Sequence, residues 1–248
     1  MKRPGRLAVT LLLGAVALLS SMTGESAVMS AHAPPPGIDL HGVWWEQHPP
    51  ETLVPEGGGS IPYTAEGRKL YAASVKKLSE ESGRPVGRDD MRRCLPFGPT
   101  RILQQPFPIQ IFQKGRLFVI AYEHNHVYEI VYLDENPDPG RDPAYMGNSV
   151  GHWIRDGLRI DTTVFKEGTL LDNSGIPHSD KLSMVRTLRK IAGGKQLEIE
   201  TTIIDPVMFS RPWTVKNVLD ARPDARLEEY TCGQGPILED RYSGGAPN

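Results

Sequence analysis

Two histidines and two aspartates stand where acid–base chemistry could be assembled. His152 and Asp161 flank Asp156-Gly157, a dipeptide that tolerates positive φ and marks a two-residue hairpin. With those two residues at the turn centre, Arg155 pairs with Leu158, Trp153 with Ile160, and His152 with Asp161. A carboxylate directly across from an imidazole holds its tautomer and raises its basicity, which is half of a general base. The blander alternative is a cross-strand polar pair that only stiffens the hairpin.

The second cluster is Pro177-His178-Ser179-Asp180, at the end of a long loop just before a strand. His178 and Asp180 could act as base and orienter, with Arg186 on the following strand as an anion anchor. Ser179 does not make this a Ser/His/Asp hydrolase, because adjacency in sequence is not the spatial arrangement a triad needs. Nor is Ser179 the centre of a Gly-x-Ser-x-Gly elbow. Local side-chain to backbone hydrogen bonds would account for the same residues as a loop cap.

His124-Asn125-His126 with Glu123 and Glu129 has the residue types of a metal site. It falls where a strand must turn, however, so the imidazoles would diverge. The expectation is no metal and no cofactor. No phosphate loop or dinucleotide fingerprint is present either. Aromatic residues are better candidates. Tyr122 and Tyr132 on neighbouring strands, beside Glu123 and Asp134, would line a pocket with a polar rim. Trp153, Trp213 and Arg186 join them as expected ligand contacts.

These residues are carried by a chain that reads as exported. Lys2, Arg3 and Arg6 precede an apolar run from Leu7 to Leu19, and Ala31-His32-Ala33 offers small residues for a signal peptidase. Residues 1–33 are therefore expected to be a signal peptide and 34–248 a single domain. The run is short for a permanent anchor, so no membrane span is expected after leader removal. The chain has 28 Lys+Arg and 30 Asp+Glu; without the leader these become 25 and 29, a formal charge of −4. With no basic cluster, nucleic acid is not an expected partner. Cys94 and Cys232 are the two cysteines. In an oxidising compartment such a pair is expected to form a disulfide.

The periodicity then fixes the scaffold. One helix is expected over about 64–82, with Thr64 as cap, Leu70, Ser74, Val75 and Leu78 on one face, and Gly83 and Pro85 ending it. Elsewhere the period is two. Strands are expected near 40–47, 108–112, 116–123, 127–133, 150–154, 158–165, 182–191, 197–204, 213–219 and 227–232. About ten short strands joined mostly by hairpins imply an all-β, antiparallel up-and-down barrel with one helix attached near its N-terminus. Such a barrel has no exposed edges and has room for one small ligand.

Several motifs, in order, resemble those of a large, mostly uncharacterised family of exported bacterial lipocalin-like proteins. They include Met146-Gly147-Asn148-Ser149-Val150-Gly151-His152-Trp153 followed by Asp161-Thr162 and Phe165, then Pro177-His178-Ser179-Asp180. Asp205-Pro206, Arg211-Pro212-Trp213-Thr214, Glu229-Tyr230-Thr231-Cys232 and Cys94-Leu95-Pro96 continue the likeness. Gly42-Val43-Trp44 is similar to the Gly-x-Trp that opens lipocalin barrels. The chain departs from the family pattern at Glu129, where relatives carry a basic residue, and at Ile154-Arg155. The resemblance implies a periplasmic or secreted β-barrel and supplies no reaction.

Two functions are compatible with this reading. The first is an exported barrel that binds a small hydrophobic or aromatic molecule. The second is a cofactor-free lyase, isomerase, decarboxylase or hydrolase of the same shape, using a His/Asp pair. The enzyme requires His152, Asp161, His178, Asp180 and Arg186 to converge.

Overall fold

The computed structural model describes residues 33–81 and 93–230. The expected signal peptide, apart from Ala33, lies outside these residues. Among them run nine strands and one α-helix: β1 Gly42–Trp45, α1 Ala65–Glu81, β2 Ile109–Lys114, β3 Leu117–Tyr122, β4 Tyr128–Leu133, β5 Asn148–Ile154, β6 Gly157–Thr163, β7 Ser183–Ile191, β8 Gln196–Ile204 and β9 Trp213–Ala221. Each strand pairs with its neighbour in sequence, and β9 returns to β1, closing a barrel.

The expectation of a wholly antiparallel meander needs one correction. β4 and β5 are parallel, joined by residues 134–147. A parallel step needs a connection long enough to carry the chain back along the strand, and this segment with Pro137, Pro139 and Pro143 provides it. The step also makes the ring close. Nine strands alternating throughout would leave β1 and β9 pointing the same way, whereas one same-direction step lets them pair antiparallel.

The tenth strand, expected over 227–232, is not formed by its described residues 227–230. With β9 already on β1 there is no edge left for it. Instead this segment runs back to the β3–β4 turn, where the Glu228 N–H donates to the Glu123 carboxylate at 2.8 Å and the Tyr230 N–H to His126 Nε2 at 3.1 Å.

Alternation sorts the strands into inner and outer faces as the period of two demands. Val131 and Leu133, Leu158 and Ile160, Leu188, Leu197 and Ile199 point inward and build one apolar cluster. Met184, Ile203, Trp213 and Val215 belong to a second. Between them on β7 lies Arg186, two residues from Met184 and two from Leu188.

The helix is capped as expected, Thr64 Oγ1 accepting the Gly67 N–H at 2.8 Å while its hydroxyl donates to Val207 O at 2.6 Å. Its covered face is Gly67, Tyr71, Ser74 and Leu78, one step round from the expected stripe, so that Leu70 and Val75 are exposed. Gly67 sets the rotation, because a Cβ there would lie 2.1 Å from the Met208 carbonyl oxygen.

Candidate functional site

The hairpin register differs from the expected one by a shift of the turn. Ile154 pairs with Gly157, so Arg155-Asp156 forms the turn and His152 faces Arg159, not Asp161. Gly157 is required for packing instead. A Cβ at this position would sit 2.1 Å from the Leu188 carbonyl oxygen of β7. His152 is left on the outer face, its Nδ1 3.5 Å from Asp134 Oδ1. Asp161 is chelated by Arg159, at 2.9 Å from Nε and 2.6 Å from Nη2.

Nor do the loop residues converge. His178 Nδ1–H donates to Ser179 O at 2.9 Å, because a carbonyl can only accept; Nε2 then accepts from the Thr169 hydroxyl at 2.5 Å. Burial pushes its pKa below the ordinary histidine value, opposed in part by the Ser179 hydrogen bond and by Asp205. Asp180 is turned away and pairs with Lys181 at 2.8 Å. Asp205, two strands further along the sequence, is the acceptor that organises this loop: it takes the Ser179 N–H and hydroxyl and the N–H groups of Val207 and Met208. The cluster is held as a loop cap, and Arg186 belongs elsewhere.

Arg186 lies in the barrel interior, 1% exposed, against Glu129 on β4, 2% exposed. Its Nη1 donates to Glu129 Oε2 at 2.8 Å and its Nη2 donates to Oε1. The remaining carboxylate lone pairs take the Ser149 hydroxyl at 2.5 Å and the Tyr122 hydroxyl at 3.3 Å. Since the Ser149 proton goes to the carboxylate, the 2.9 Å bond between Ser149 and Thr162 must be donated by Thr162. Thr162 in turn accepts from Arg186 Nη2 at 3.0 Å. Burial first, and then the Glu129 charge, raise the Tyr122 pKa, keeping it a donor. Five consecutive strands, β3 to β7, thus meet in one closed polar ring. Four acceptor positions on Glu129 are all used, so it offers a ligand no free carboxylate lone pair, whereas the buried Arg186 Nε–H is left without an acceptor among the described residues.

Among the described residues the interior carries these side chains and the two apolar clusters. Tyr122 points inward and Tyr132 outward, which separates the pair expected to share a wall. Trp153 packs edge-on to Phe118 at 6.0 Å and Trp213 edge-on to Phe209 at 5.3 Å. Glu123 is buried and anchors the Glu228 backbone.

A cleft of about 480 Å3 does exist, on the outer face of β4 and β5 beneath the crossover 134–147. Tyr128, Ile130, Tyr132, Tyr145, Met146 and Val150 supply its apolar wall, with Asn136 and Asn148 among its polar groups. Its position follows from the parallel step. The β4–β5 ladder covers only Val131↔Ser149, Tyr132↔Val150 and Leu133↔Gly151, so the first half of β4 has no β5 partner and the crossover stands off it. Glu129 and Ser149 also line the cleft, which therefore borders the polar ring. Arg141 lies over the Tyr132 ring at 5.0 Å and Lys166 over Tyr145 at 4.9 Å, fixing both rings.

His124 is buried among Phe97, Phe107 and Tyr230, with ring centroids at 5.1, 4.8 and 5.2 Å. Burial lowers its pKa to about 4. His126, two residues on, lies at the cleft rim. Both imidazoles reach Tyr230, His124 through its ring and His126 by accepting the Tyr230 N–H at 3.1 Å. Among the described residues no group of three or more His, Cys, Asp or Glu side chains is placed to hold a metal. The strongest unread signal was Glu129 and Arg186, charges of opposite sign at inward parity in otherwise apolar strands.

No family model matches the chain, and comparison with curated proteins finds no relative.

Proposed function

We propose that the protein binds a small hydrophobic or aromatic molecule in the cleft beneath the 134–147 crossover. The observation that carries this reading is a cleft of about 480 Å3 whose wall is tyrosine-rich and largely apolar, with amide groups and the charged Glu129, Asp138 and Arg141 among its polar members. That volume and composition fit small-molecule sites, typically about 300–1,000 Å3. Binding is preferred to catalysis because His152, Asp161, His178, Asp180 and Arg186 occupy separate places, each with its own structural partner.

Export supports an extracytoplasmic ligand. The basic start, apolar run and small-residue stretch of residues 1–33 read as a leader, and the lipocalin-like family resemblance points to the same compartment. A Cys94–Cys232 disulfide belongs to this reading. Cys232 lies outside the described residues, but both flanking chains reach one turn: Asn125 Nδ2 donates to Cys94 O at 2.7 Å, and His126 accepts from the Tyr230 N–H at 3.1 Å.

Thermal-shift and calorimetric titration with a panel of small planar phenols and aromatic hydrocarbons tests the cleft. A ligand raises the melting temperature by mass action, and Val150→Trp, which fills the cleft from outside the barrel, removes the shift. Binding that survives Val150→Trp, or a panel without a binder, refutes the assignment.

A further inference from the structure

After β9 the chain turns back, and residues 223–230 dock on the β3–β4 turn without forming a strand. Side-chain acceptors hold this strap in place of a β ladder. The Glu228 N–H gives to the Glu123 carboxylate at 2.8 Å and the Tyr230 N–H to His126 Nε2 at 3.1 Å. The Tyr230 ring packs 4.7 Å from Phe107 and 5.2 Å from His124, which Phe97 meets edge-on at 5.1 Å. The receiving turn is strained. Asn125 and His126 stand at φ 59° and 54°, in the left-handed region that residues with a Cβ seldom adopt. Each has its side chain bonded to a distant segment, Asn125 to the Cys94 carbonyl at 2.7 Å and His126 to the strap. Such conformations persist where the surroundings hold them, and they cluster at clamps and switches.

The docked strap requires both imidazoles to be neutral. His126 Nε2 faces an N–H, so a proton there would set two donors against each other. His124 is buried among three aromatic rings, its Nδ1 meeting no acceptor among the described residues. Burial lowers its pKa to about 4, so it favours docking above the ordinary histidine value and opposes it as pH falls. The charged groups on the elements packed here are Glu123 on the turn, Arg93 and Arg101 on the segment carrying Phe97, and Asp224, Arg226, Glu228 and Glu229 on the strap. Of these, Glu123 is committed to the Glu228 N–H and Arg101 lies over the Phe97 ring at 5.4 Å.

We infer that the strap is an acid-released clasp. It is docked through Tyr230, His124 and His126 near neutral pH and lets go when the imidazoles take up protons, while the barrel stays folded. Local opening of this kind is cheap for a segment held by few contacts. Because Asn125, His126 and Val127 also line the cleft, the clasp makes one end of the cleft sensitive to pH. The inference holds whatever the cleft binds.

Amide hydrogen exchange on the full chain, corrected for the intrinsic pH dependence of exchange, tests the clasp. Between about pH 7 and about pH 5 the Glu228 and Tyr230 amides are expected to lose protection about tenfold. Amides within β7 and β8 are expected to keep theirs. His126→Gln supplies an amide oxygen that accepts an N–H at either pH, and is expected to keep the Tyr230 amide protected in acid. His124→Phe fills the same aromatic cage without a titrating nitrogen and is expected to shrink the acid response; the double variant is expected to abolish it. Should His124→Phe fail to fold, His126→Gln alone decides. Protection at Glu228 and Tyr230 that ignores pH overturns the clasp. So does an acid response undiminished in His126→Gln or surviving in the double variant, which would place it on the carboxylates. Equal loss of protection in β7 and β8 is general unfolding and overturns it too.

Discussion

Glu129 and Arg186, 57 positions apart in sequence, meet in the barrel interior as a bidentate pair that Tyr122, Ser149 and Thr162 complete. The pair sits behind a short seam. Only three residue pairs join β4 to β5, and the Ser149–Glu129 bond crosses that seam from within. Removing one member strands a buried charge, which costs about 3–5 kcal/mol. Arg186→Met and Glu129→Gln are each expected to lose that much in urea unfolding. A paired Glu129→Leu/Arg186→Met variant is expected to lose less than the two single effects combined. Single variants within about 1 kcal/mol of the parent would mean that the ring holds nothing together.

Gly157 gives a second, independent test. The hairpin register places it against β7, where a side chain would meet the Leu188 carbonyl oxygen at 2.1 Å. Gly157→Ala must push two strands apart and is expected to cost about 2 kcal/mol or more. Asp156→Asn at the exposed turn should be nearly neutral, aside from its pairing with Arg189 at 2.9 Å. Comparable melting temperatures for the two variants would rule out the close approach.

His124 predicts how stability follows pH. Burial lowers its folded pKa to about 4 from 6.5. Between those values the unfolded chain binds the proton and the folded one does not. Stability therefore rises with pH across this window, is complete above about 6.5, and is lost as pH falls towards 4, by about 3 kcal/mol in total. His178, also lowered by burial, acts in the same sense. Denaturant midpoints measured from pH 4 to 7 should slope upward. In His124→Gln the slope should shrink, and an unchanged slope would exclude His124 as its source.

For the cysteines, non-reducing peptide mapping should recover one cross-linked species containing Cys94 and Cys232. In the chain-entropy picture closing so long a loop adds up to roughly 5 kcal/mol. Cys94→Ser should therefore lower the melting temperature markedly, and thiol-blocking of both cysteines without reduction would disprove the link.

Much of the scaffold was legible because alternation is a local property. The runs from β2 to β9 announced themselves by β-branched and aromatic residues, and Thr64 marked the helix start. What escaped depended on partners distant in sequence. Gly157 looked like a turn residue, because its demand comes from Leu188 on another strand. The helix face was misplaced by one step, since the Met208 backbone decides it. Strand direction is invisible to a period of two, so the parallel step went unread, and with it the position of the cleft. His178 and Asp180 looked paired in sequence, yet one turns in towards Thr169 and the other out to Lys181.

The parallel step has a consequence for how this architecture can vary. Because the ring's closure depends on an odd count with one reversal of the usual alternation, a lone extra strand would leave the two terminal strands facing the wrong way. To keep those strands antiparallel, such a barrel must lengthen or shorten by whole hairpins, or else abolish the crossover, and with it the roof over the cleft. The cleft and the arithmetic of the ring thus go together.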